Sequence, residues 1–376
     1  MLVRNIVIMF VLFSSLMFGQ QTSLFSLDTP VDAKSISMGE SFVAVNHPLS
    51  SLMYNPASFS EGSGITASFT RRRANFFDLV NDFAYTSYAI SYNSPIGEFG
   101  FLYNRFYQGE YTITTASSPE GIGKAELYDH LFLGKYSTKI GENISIGMAV
   151  KVFNTTANQT EGIIGTNFIS TSSVPVLFDA GVMYNTSISR TTLIKDNLTL
   201  GLSLQNFGTD YRQTQSNNEV YIRLPHYGRV GFSYMMSLPG EVEHTPSPLS
   251  ILLTAEYKNL LNTFTSQDGN RDFWGFGSEI TFYNLLHLRL GGEIFPYNSV
   301  YGNKGVASLR YGAGINFPLK YLGIETPISF HIDYAGIPTN SLIYNSYFFN
   351  AQSVADVLQI FSVGLDYPIS NITTSY

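Results

Sequence analysis

The sequence predicts an all-β protein, a transmembrane antiparallel β-barrel of about fourteen strands with an N-terminal plug inside the barrel. Three observations lead to this fold class. Alternating apolar and polar residues recur along the chain, the connections between these stretches alternate in length, and charged residues are scarce. Charged residues make up 13% of the 376 residues, against about 25% in a typical soluble domain. Aromatic residues are abundant, at 15%.

The first residues have the pattern of a secretory signal peptide. Arg4 precedes an apolar run over residues 6–13, and small residues follow, with cleavage expected near Gly19 or Gln20. A membrane-anchoring helix is the alternative, but the run is short for a span of about 20 residues. We therefore predict a signal peptide over residues 1–20. An exported chain without a later apolar helix can still cross a membrane as a closed barrel.

The stretch that follows, residues 21–62, does not alternate as a strand would. Asn55 before Pro56 predicts the start of a helix, since Asn is a good N-cap and Pro suits the first helical position. A barrel of about fourteen strands is too wide to be filled by its own side chains. We therefore predict that residues 21–62 form a plug; an arm packed elsewhere on the domain is the alternative. The barrel is assigned to residues 63–370 and a C-terminal tail to residues 371–376.

From Gly64 onward, period-two alternation predicts a series of strands. In the clearest example, Ile144, Ile146 and Met148 share one side of an extended chain, while small or polar residues share the other. The predicted strands cover residues 64–71, 84–93, 96–107, 125–137, 142–154, 173–186, 196–208, 220–236, 248–260, 271–283, 285–296, 305–317, 326–336 and 357–368.

The predicted connections alternate between short turns and long loops. The links near residues 93–95 and at Asn284 are tight, whereas those over 108–124 and 155–172 are long. Outer-membrane barrels have short periplasmic turns and longer extracellular loops. The alternation therefore predicts an outer-membrane location with both chain ends on the periplasmic side. A soluble sandwich or propeller gives no reason for every second loop to be long.

The polar faces of the strands are predicted to line the lumen. A Lys or Arg on the lipid face costs about 2–4 kcal/mol at the middle of the bilayer, so we assign apolar residues to the lipid and ionisable residues to the interior. A soluble barrel with the opposite sense is the alternative. The predicted lumen-facing charges are Lys151, Asp179, Arg229, Glu256, Lys258, Glu279, Arg289, Glu293, Arg310, His331 and Asp333.

No catalytic residue, cofactor or metal site is predicted, and we expect no enzyme. The six histidines have no metal-ligand spacing, and no nucleophile or phosphate-loop motif stands out. The chain has no cysteine, which excludes disulfides and thiolate sites. A net charge of −7 argues against a nucleic-acid partner. The run Arg71–Arg73 is predicted to contact anionic lipid or lipopolysaccharide, with a solvated loop end as the alternative.

The N-terminal block carries a resemblance to a known family. Residues 32–45 (D-A-K-S-I-S-M-G-E-S-F-V-A-V) and 52–59 (L-M-Y-N-P-A-S-F) resemble the N-terminal signature of the PorV/PorQ family, and weaker matches occur at 200–208 and 224–234. That family comprises fourteen-stranded outer-membrane barrels related to the FadL long-chain fatty-acid transporters. Glu40 departs from the family pattern, which has Gly there. The resemblance implies a periplasmic-side plug with the motif residues Met38, Gly39, Asn55, Pro56 and Ala57.

The resemblance implies two possible functions. The first is a type IX secretion-associated scaffold that binds secreted cargo proteins or secretion-machinery subunits. The alternative is a FadL-like channel for the uptake of hydrophobic small molecules. Apolar stretches in the predicted outer loops, over residues 75–80 and 342–349, suit either role. Outer-membrane lipid is the remaining predicted partner.

Overall fold

The computed structural model describes most of the chain. The described residues are 27, 32–60, 64–73, 84–115, 118–159, 171–188, 194–215, 218–222, 224–239, 247–262, 272–295, 306–338 and 357–369. The predicted signal peptide and C-terminal tail, and the apolar loop stretches over 75–80 and 342–349, lie outside these residues.

Strands dominate the described residues. In chain order they are β1 (Gly64–Arg73), β2 (Ala84–Ser94), β3 (Gly97–Thr115), β4 (Ser118–Ile140), β5 (Ile144–Gln159), β6 (Thr171–Ser172), β7 (Val176–Thr186), β8 (Lys195–Gly208), β9 (Tyr211–Gln215), β10 (Asn218–Ile222), β11 (Tyr227–Ser237), β12 (Leu249–Leu260), β13 (Phe273–Phe282), β14 (Leu286–Phe295), β15 (Val306–Pro318), β16 (Ser329–Pro338) and β17 (Val357–Pro368).

All of these strands except β6, β9 and β10 form one closed antiparallel barrel of fourteen strands, so the predicted fold class is confirmed. Neighbours in the barrel follow chain order, and β1 pairs with β17 to close it, with Gly64 opposite Pro368. The tight link at Asn284 is a two-residue hairpin. Tyr283 and Asn284 both have positive φ, 53° and 56°, and the Leu285 N–H donates to the Phe282 carbonyl at 2.8 Å. These are the features of a type I′ turn, whose twist matches that of the flanking strands.

The outward faces of the barrel strands are apolar. Along β5, Ile146, Met148 and Val150 are exposed, whereas Ala149 and Lys151 between and beyond them are buried. Such a face is typical of a strand that meets lipid on one side and an enclosed interior on the other. No helix among the described residues has the length and apolarity needed to cross a bilayer.

Two sequence predictions about the strands are wrong. The link over 108–124 was expected to be a loop, but β3 continues to Thr115 and β4 begins at Ser118, so the two strands form a projecting hairpin. The predicted strand over 220–236 divides: β10 belongs to a small three-stranded sheet with β9 and β6, and the barrel strand β11 begins at Tyr227. Both errors lie toward the rim, where both faces of a strand can meet water and the lipid-imposed alternation ends.

The residues before β1 contain a short helix, α1 (Ala33–Ser37), and a 3₁₀ turn (Ser50–Met53). No helix begins at Asn55, so that prediction is wrong. Instead, the Asn55 side-chain oxygen accepts a hydrogen bond from the Ala57 N–H at 3.0 Å, and the Ser58 N–H donates to the Asn55 carbonyl at 3.2 Å. Asn therefore caps a tight turn here, the other local structure that its side chain favours.

Candidate functional site

The candidate site is the contact between residues 32–60, called here the N-terminal segment, and the inward faces of the barrel strands. Near its start, the Ala33 N–H donates to Ser362 Oγ in β17 at 2.9 Å. Near its end, the Ser58 carbonyl accepts from Lys135 Nζ in β4 at 2.5 Å. Three strands, β1 to β3, separate β17 from β4 around the barrel. These contacts therefore anchor the segment at well-separated points of the wall.

Helix α1 ends in a left-handed turn. Its N-cap is Asp32, whose Oδ1 accepts from the Ser35 N–H at 2.7 Å. Gly39 and Glu40 then have φ values of 64° and 55°. Left-handed backbone costs a residue with a Cβ about 1–2 kcal/mol, so Glu40 occupies a position that favours Gly. Its side chain supplies an ion pair that offsets this cost, as described below.

Glycines on the wall let the backbone of the segment approach closely. A Cβ on Gly277 would lie 2.5 Å from the Met38 carbonyl oxygen, and a Cβ on Gly291 would collide with the Gly39 N–H. On another part of the inner face, in β7, a Cβ on Gly181 would overlap the side chain of Asn55. Any larger residue at these wall positions therefore displaces the segment.

The five plug-motif residues all lie in the segment. Met38, Asn55 and Ala57 are fully buried. Besides capping its turn, Asn55 donates from Nδ2 to the Val43 carbonyl at 2.7 Å, which ties the two halves of the segment together. Pro56 faces β5, where a Cβ on Gly147 would meet the Pro56 carbonyl.

Glu256 binds the backbone of the segment directly. Its Oε2 accepts from the N–H groups of Phe42 (2.8 Å) and Val43 (2.7 Å). Its Oε1 pairs with Arg229 Nη1 at 2.5 Å. Arg229 in turn donates from Nε to Gln205, at 2.8 Å. The network satisfies two N–H donors of the segment that burial would otherwise leave unpaired.

Two further ion clusters join the wall to the segment. Arg310 contacts Glu40 at 2.7 Å and Glu293 at 2.5 Å. In the second cluster, Lys34 of the segment pairs with Glu279 at 3.3 Å. On the wall, the Arg289 guanidinium lies 2.5 Å from the carboxylate of Glu279 and 2.5 Å from that of Asp333.

The remaining predicted lumen-facing charges are also inward, but they bind the wall. Lys151 and Asp179 form a buried pair at 2.7 Å. The Lys258 ammonium lies over the Tyr227 ring, 3.9 Å from its centroid. His331 Nδ1 lies 3.3 Å from Asp366. Charge on an inward face therefore does not by itself identify a contact with the segment.

Three contributors to the site were missed at the level of sequence. Lys135 pairs with Glu98 at 2.8 Å, with both side chains buried, and Glu98 Oε2 accepts from the Ser60 N–H at 2.6 Å. Gln205 donates to the carbonyls of Met53 and Tyr54, both at 2.8 Å. The signal was present for the first pair, because Glu98 and Lys135 each alternate with outward aromatic residues. Gln205 has no comparable signal, since an uncharged polar residue is ordinary on an inner face.

One part of the inner wall is apolar. The fully buried side chains of this apolar sector come from β3, β4, β5 and β7, and they are Leu102, Leu131, Leu133, Phe153 and Leu177. They form one cluster with Leu52 and Met53 of the segment, with Tyr211 of β9 and with Leu224, which precedes β11. Phe153 meets Tyr211 edge to face, with ring centroids 5.7 Å apart. The apolar sector thus continues from the segment toward the rim that carries the small sheet.

A small cavity of about 10 Å³ lies between the segment and the wall, beside His47 and His331. The Ser50 N–H donates to His47 Nδ1 at 3.1 Å. Burial lowers the pKa of His47 well below its usual range, and the charge of Lys34 adds to the shift. The structure therefore favours neutral His47. Among the described residues, no group of three or more acidic or His side chains is arranged to hold a metal ion.

These features define a class, a transmembrane β-barrel whose inner wall holds an N-terminal segment. No family model and no curated protein matches the sequence. Among solved structures, the chain is similar to the toluene transporter TodX of P. putida, with 10% identity, a TM-score of 0.46 and coverage of 90% of this chain and 98% of that chain. It is also similar to a Pseudomonas aeruginosa FadL homologue (11% identity, TM-score 0.41, 90% and 98% covered). A third similar structure is LpxR from Salmonella typhimurium (9%, 0.37, 82% and 100%). Likenesses at this level assign no function.

Proposed function

We propose that the protein is an outer-membrane channel for hydrophobic small molecules, with the N-terminal segment as its plug. The observation that carries this proposal is the apolar sector of the inner wall. A barrel that encloses only water has a polar interior. Here Leu131, Leu133 and Phe153 point inward and are fully buried, and a hydrophobic solute would find in them the apolar surface that water-filled pores lack.

The contacts of the segment are of two kinds, and the difference between them supports a gating role. Charged hydrogen bonds hold the segment at Glu256, Arg310 and Glu279 and, near its end, at Lys135 and Glu98. On the apolar sector, Leu52 and Met53 make dispersion contacts that carry no direction. A hydrophobic solute can replace such apolar contacts at little cost, whereas it cannot replace an ion pair. In this proposal the solute enters between Leu52 and the apolar sector while the charged hydrogen bonds stay in place.

The test is uptake by cells that carry a deletion of the gene and express chosen variants. Wild-type protein is expected to restore uptake of a radiolabelled long-chain fatty acid or aromatic hydrocarbon. Leu131→Gln combined with Leu133→Gln places amides in the apolar sector and is expected to abolish the gain. The matched control is Thr281→Gln, which adds an amide to the inner wall away from the sector.

Each variant must first migrate as a heat-modifiable folded barrel in unboiled gels. Uptake that is the same with and without the protein would remove the channel proposal. Equal loss in the double variant and in Thr281→Gln would show that the apolar sector has no special part.

The secretion role stays a prediction. It rests on the resemblance of the N-terminal block to the PorV/PorQ family, and the apolar outer-loop stretches over 75–80 and 342–349, which suit either role, lie outside the described residues. Cross-linking in the native membrane would test it: recovery of secreted proteins that share a C-terminal domain favours a cargo receptor, and recovery of none with accessible loops argues against one.

A further inference from the structure

A second feature lies on the outside of the barrel, on strands β1 to β5. The register of these strands places five outward-facing residues side by side in one row, Arg71, Thr86, Arg105, His130 and Asn154. We call this the basic row. A second row of outward-facing residues lies two residues further along each strand, toward the rim that carries the chain ends. We call it the aromatic row, and it consists of Phe69, Tyr88, Tyr103 and Phe132.

The height of the basic row places it at the edge of the apolar band. From Ile144, at the start of β5, ten residue steps along the strand lead to Asn154 in the row. At about 3.4 Å per residue and a tilt of about 40°, these steps rise about 26 Å. The outward apolar band of such barrels is about 25 Å tall. The row therefore lies at headgroup level, on the rim opposite the chain ends Gly64 and Pro368.

The cations of the row differ from those inside the barrel. Arg229, Arg289 and Arg310 are each held by a buried carboxylate. Arg71 and Arg105 are exposed, and no described carboxylate lies within 4.0 Å of either guanidinium. The neighbouring acid, Glu126, accepts instead from the hydroxyls of Tyr107 and Tyr128.

Aromatic contacts fix the shape of the row. The Arg105 guanidinium lies over the Tyr128 ring, 4.3 Å from its centroid. The Tyr103 hydroxyl contacts His130 Nδ1 at 2.9 Å, and His130 Nε2 contacts Thr156 Oγ1 at 3.1 Å. A groove of about 540 Å³ on the outer wall is lined by most of the two rows together with Tyr128 and Thr156; its row members are Phe69, Arg71, Thr86, Tyr88, Tyr103, Arg105 and His130. The groove thus presents positive charge above and stacked aromatic rings below.

We propose that this groove binds a phosphorylated glycolipid of the outer leaflet, of the lipid A type. The phosphate would pair with Arg71 and Arg105, because a guanidinium group can bind a phosphate through two parallel hydrogen bonds. An acyl chain would lie along the aromatic row beneath them. The proposal rests on the outer-membrane location and is independent of what passes through the lumen. It also refines the sequence prediction for residues 71–73: Arg72 is buried on the inward face, and the second arginine comes from β3.

The test uses the full-length protein in a mild detergent, with lipid A titrated and complexes counted by native mass spectrometry. Arg71→Gln combined with Arg105→Gln is expected to weaken binding about tenfold or more, because two charged hydrogen-bonding partners of the phosphate are lost. The matched control removes two exposed lysines on the opposite rim, Lys195→Gln combined with Lys320→Gln, and is expected to bind as the wild type does.

Lipid substitution gives a second measurement that needs no variant. Lipid A stripped of phosphate is expected to bind the wild type as weakly as lipid A binds the arginine double variant. Inorganic phosphate at the same concentration is expected not to compete. Binding of lipid A that is unchanged in the arginine double variant would overturn the proposal, as would equal binding of phosphatidylglycerol or competition by free phosphate.

Discussion

Replacing Glu256 with Gln tests the attachment of the N-terminal segment at one atom. The carboxylate meets three donors, the N–H groups of Phe42 and Val43 and the Arg229 guanidinium. Glu256→Gln keeps the size of the side chain but converts one acceptor oxygen into an NH₂ donor. At least one of the three donors then faces another donor, and Arg229 loses its neutralising partner.

The expected cost follows from the two hydrogen bonds that join Glu256, which is 1% exposed, to the segment. The pair with Arg229 lies within the wall and is lost whether or not the segment is attached, whereas a hydrogen bond to a charged acceptor is worth about 1.5–3 kcal/mol. At about 1.4 kcal/mol per factor of ten, loss of the charged acceptor should weaken attachment of the segment by a factor of roughly 10 to 10². The barrel strands themselves should stay intact, because their backbone ladder does not involve this side chain.

Hydrogen exchange measured by mass spectrometry reads this out directly. Peptides over residues 38–45 should exchange at least tenfold faster in Glu256→Gln, while peptides of β3 and β4 should keep their protection. Asp179→Asn is the matched control, since it breaks a buried wall pair with Lys151 that does not hold the segment. Unchanged protection of residues 38–45 in Glu256→Gln would refute the role assigned to the carboxylate.

Three further predictions concern the same segment. Glu40→Gln should destabilise attachment of the segment by about 1–2 kcal/mol more than Glu40→Gly does, because both variants lose the charge that pairs with Arg310 but only Gly relieves the left-handed backbone. Hydrogen exchange of residues 36–42 should therefore be faster in Glu40→Gln than in Glu40→Gly, and the reverse order would contradict this reasoning. Gly277→Ala should weaken attachment of the segment by about 1–3 kcal/mol, because the added methyl group pushes against the Met38 carbonyl, and should raise single-channel conductance. Gly134→Ala, which has open space around it, should leave conductance unchanged, and equal effects of the two variants would contradict the close approach at Gly277. Burial holds the pKa of His47 well below its usual range, so the contribution of neutral His47 to attachment of the segment is fully present above about pH 6.5 and is lost as the pH falls below that value. Single-channel conductance should therefore rise on acidification. His47→Asn, which keeps an acceptor for the Ser50 N–H, should flatten that rise.

The barrel could be predicted from the sequence because lipid imposes a simple rule. Each strand that crosses the apolar band must turn one face to acyl chains, and in β5 this rule fixes every second residue from Ile144 to Val152. The prediction failed where the rule stops. Beyond the band, β3 and β4 continue as a hairpin to Thr115 and Ser118, and β9 and β10 form a separate small sheet.

The site was less predictable because its contacts join residues far apart in the chain. Alternation assigns Glu256 to an inner face, but nothing local indicates that it binds the backbone of Phe42 and Val43 more than 200 positions away. Asn55 was misjudged for a different reason. Its side chain caps helices and tight turns by the same kind of hydrogen bond, and only the packing against Gly147 and Gly181 selects the turn.

The most direct test of the channel proposal is photolabelling of purified protein with an aliphatic diazirine probe, followed by mapping of the adducts by mass spectrometry. Adducts on the outer wall are expected from detergent-like contact and should not saturate. Saturable adducts, competed by excess unlabelled fatty acid, are predicted at the apolar sector around Leu131, Leu133 and Phe153. If no saturable adduct forms there while outward residues such as Phe132 are labelled, hydrophobic solutes do not enter the barrel and the proposed function is wrong.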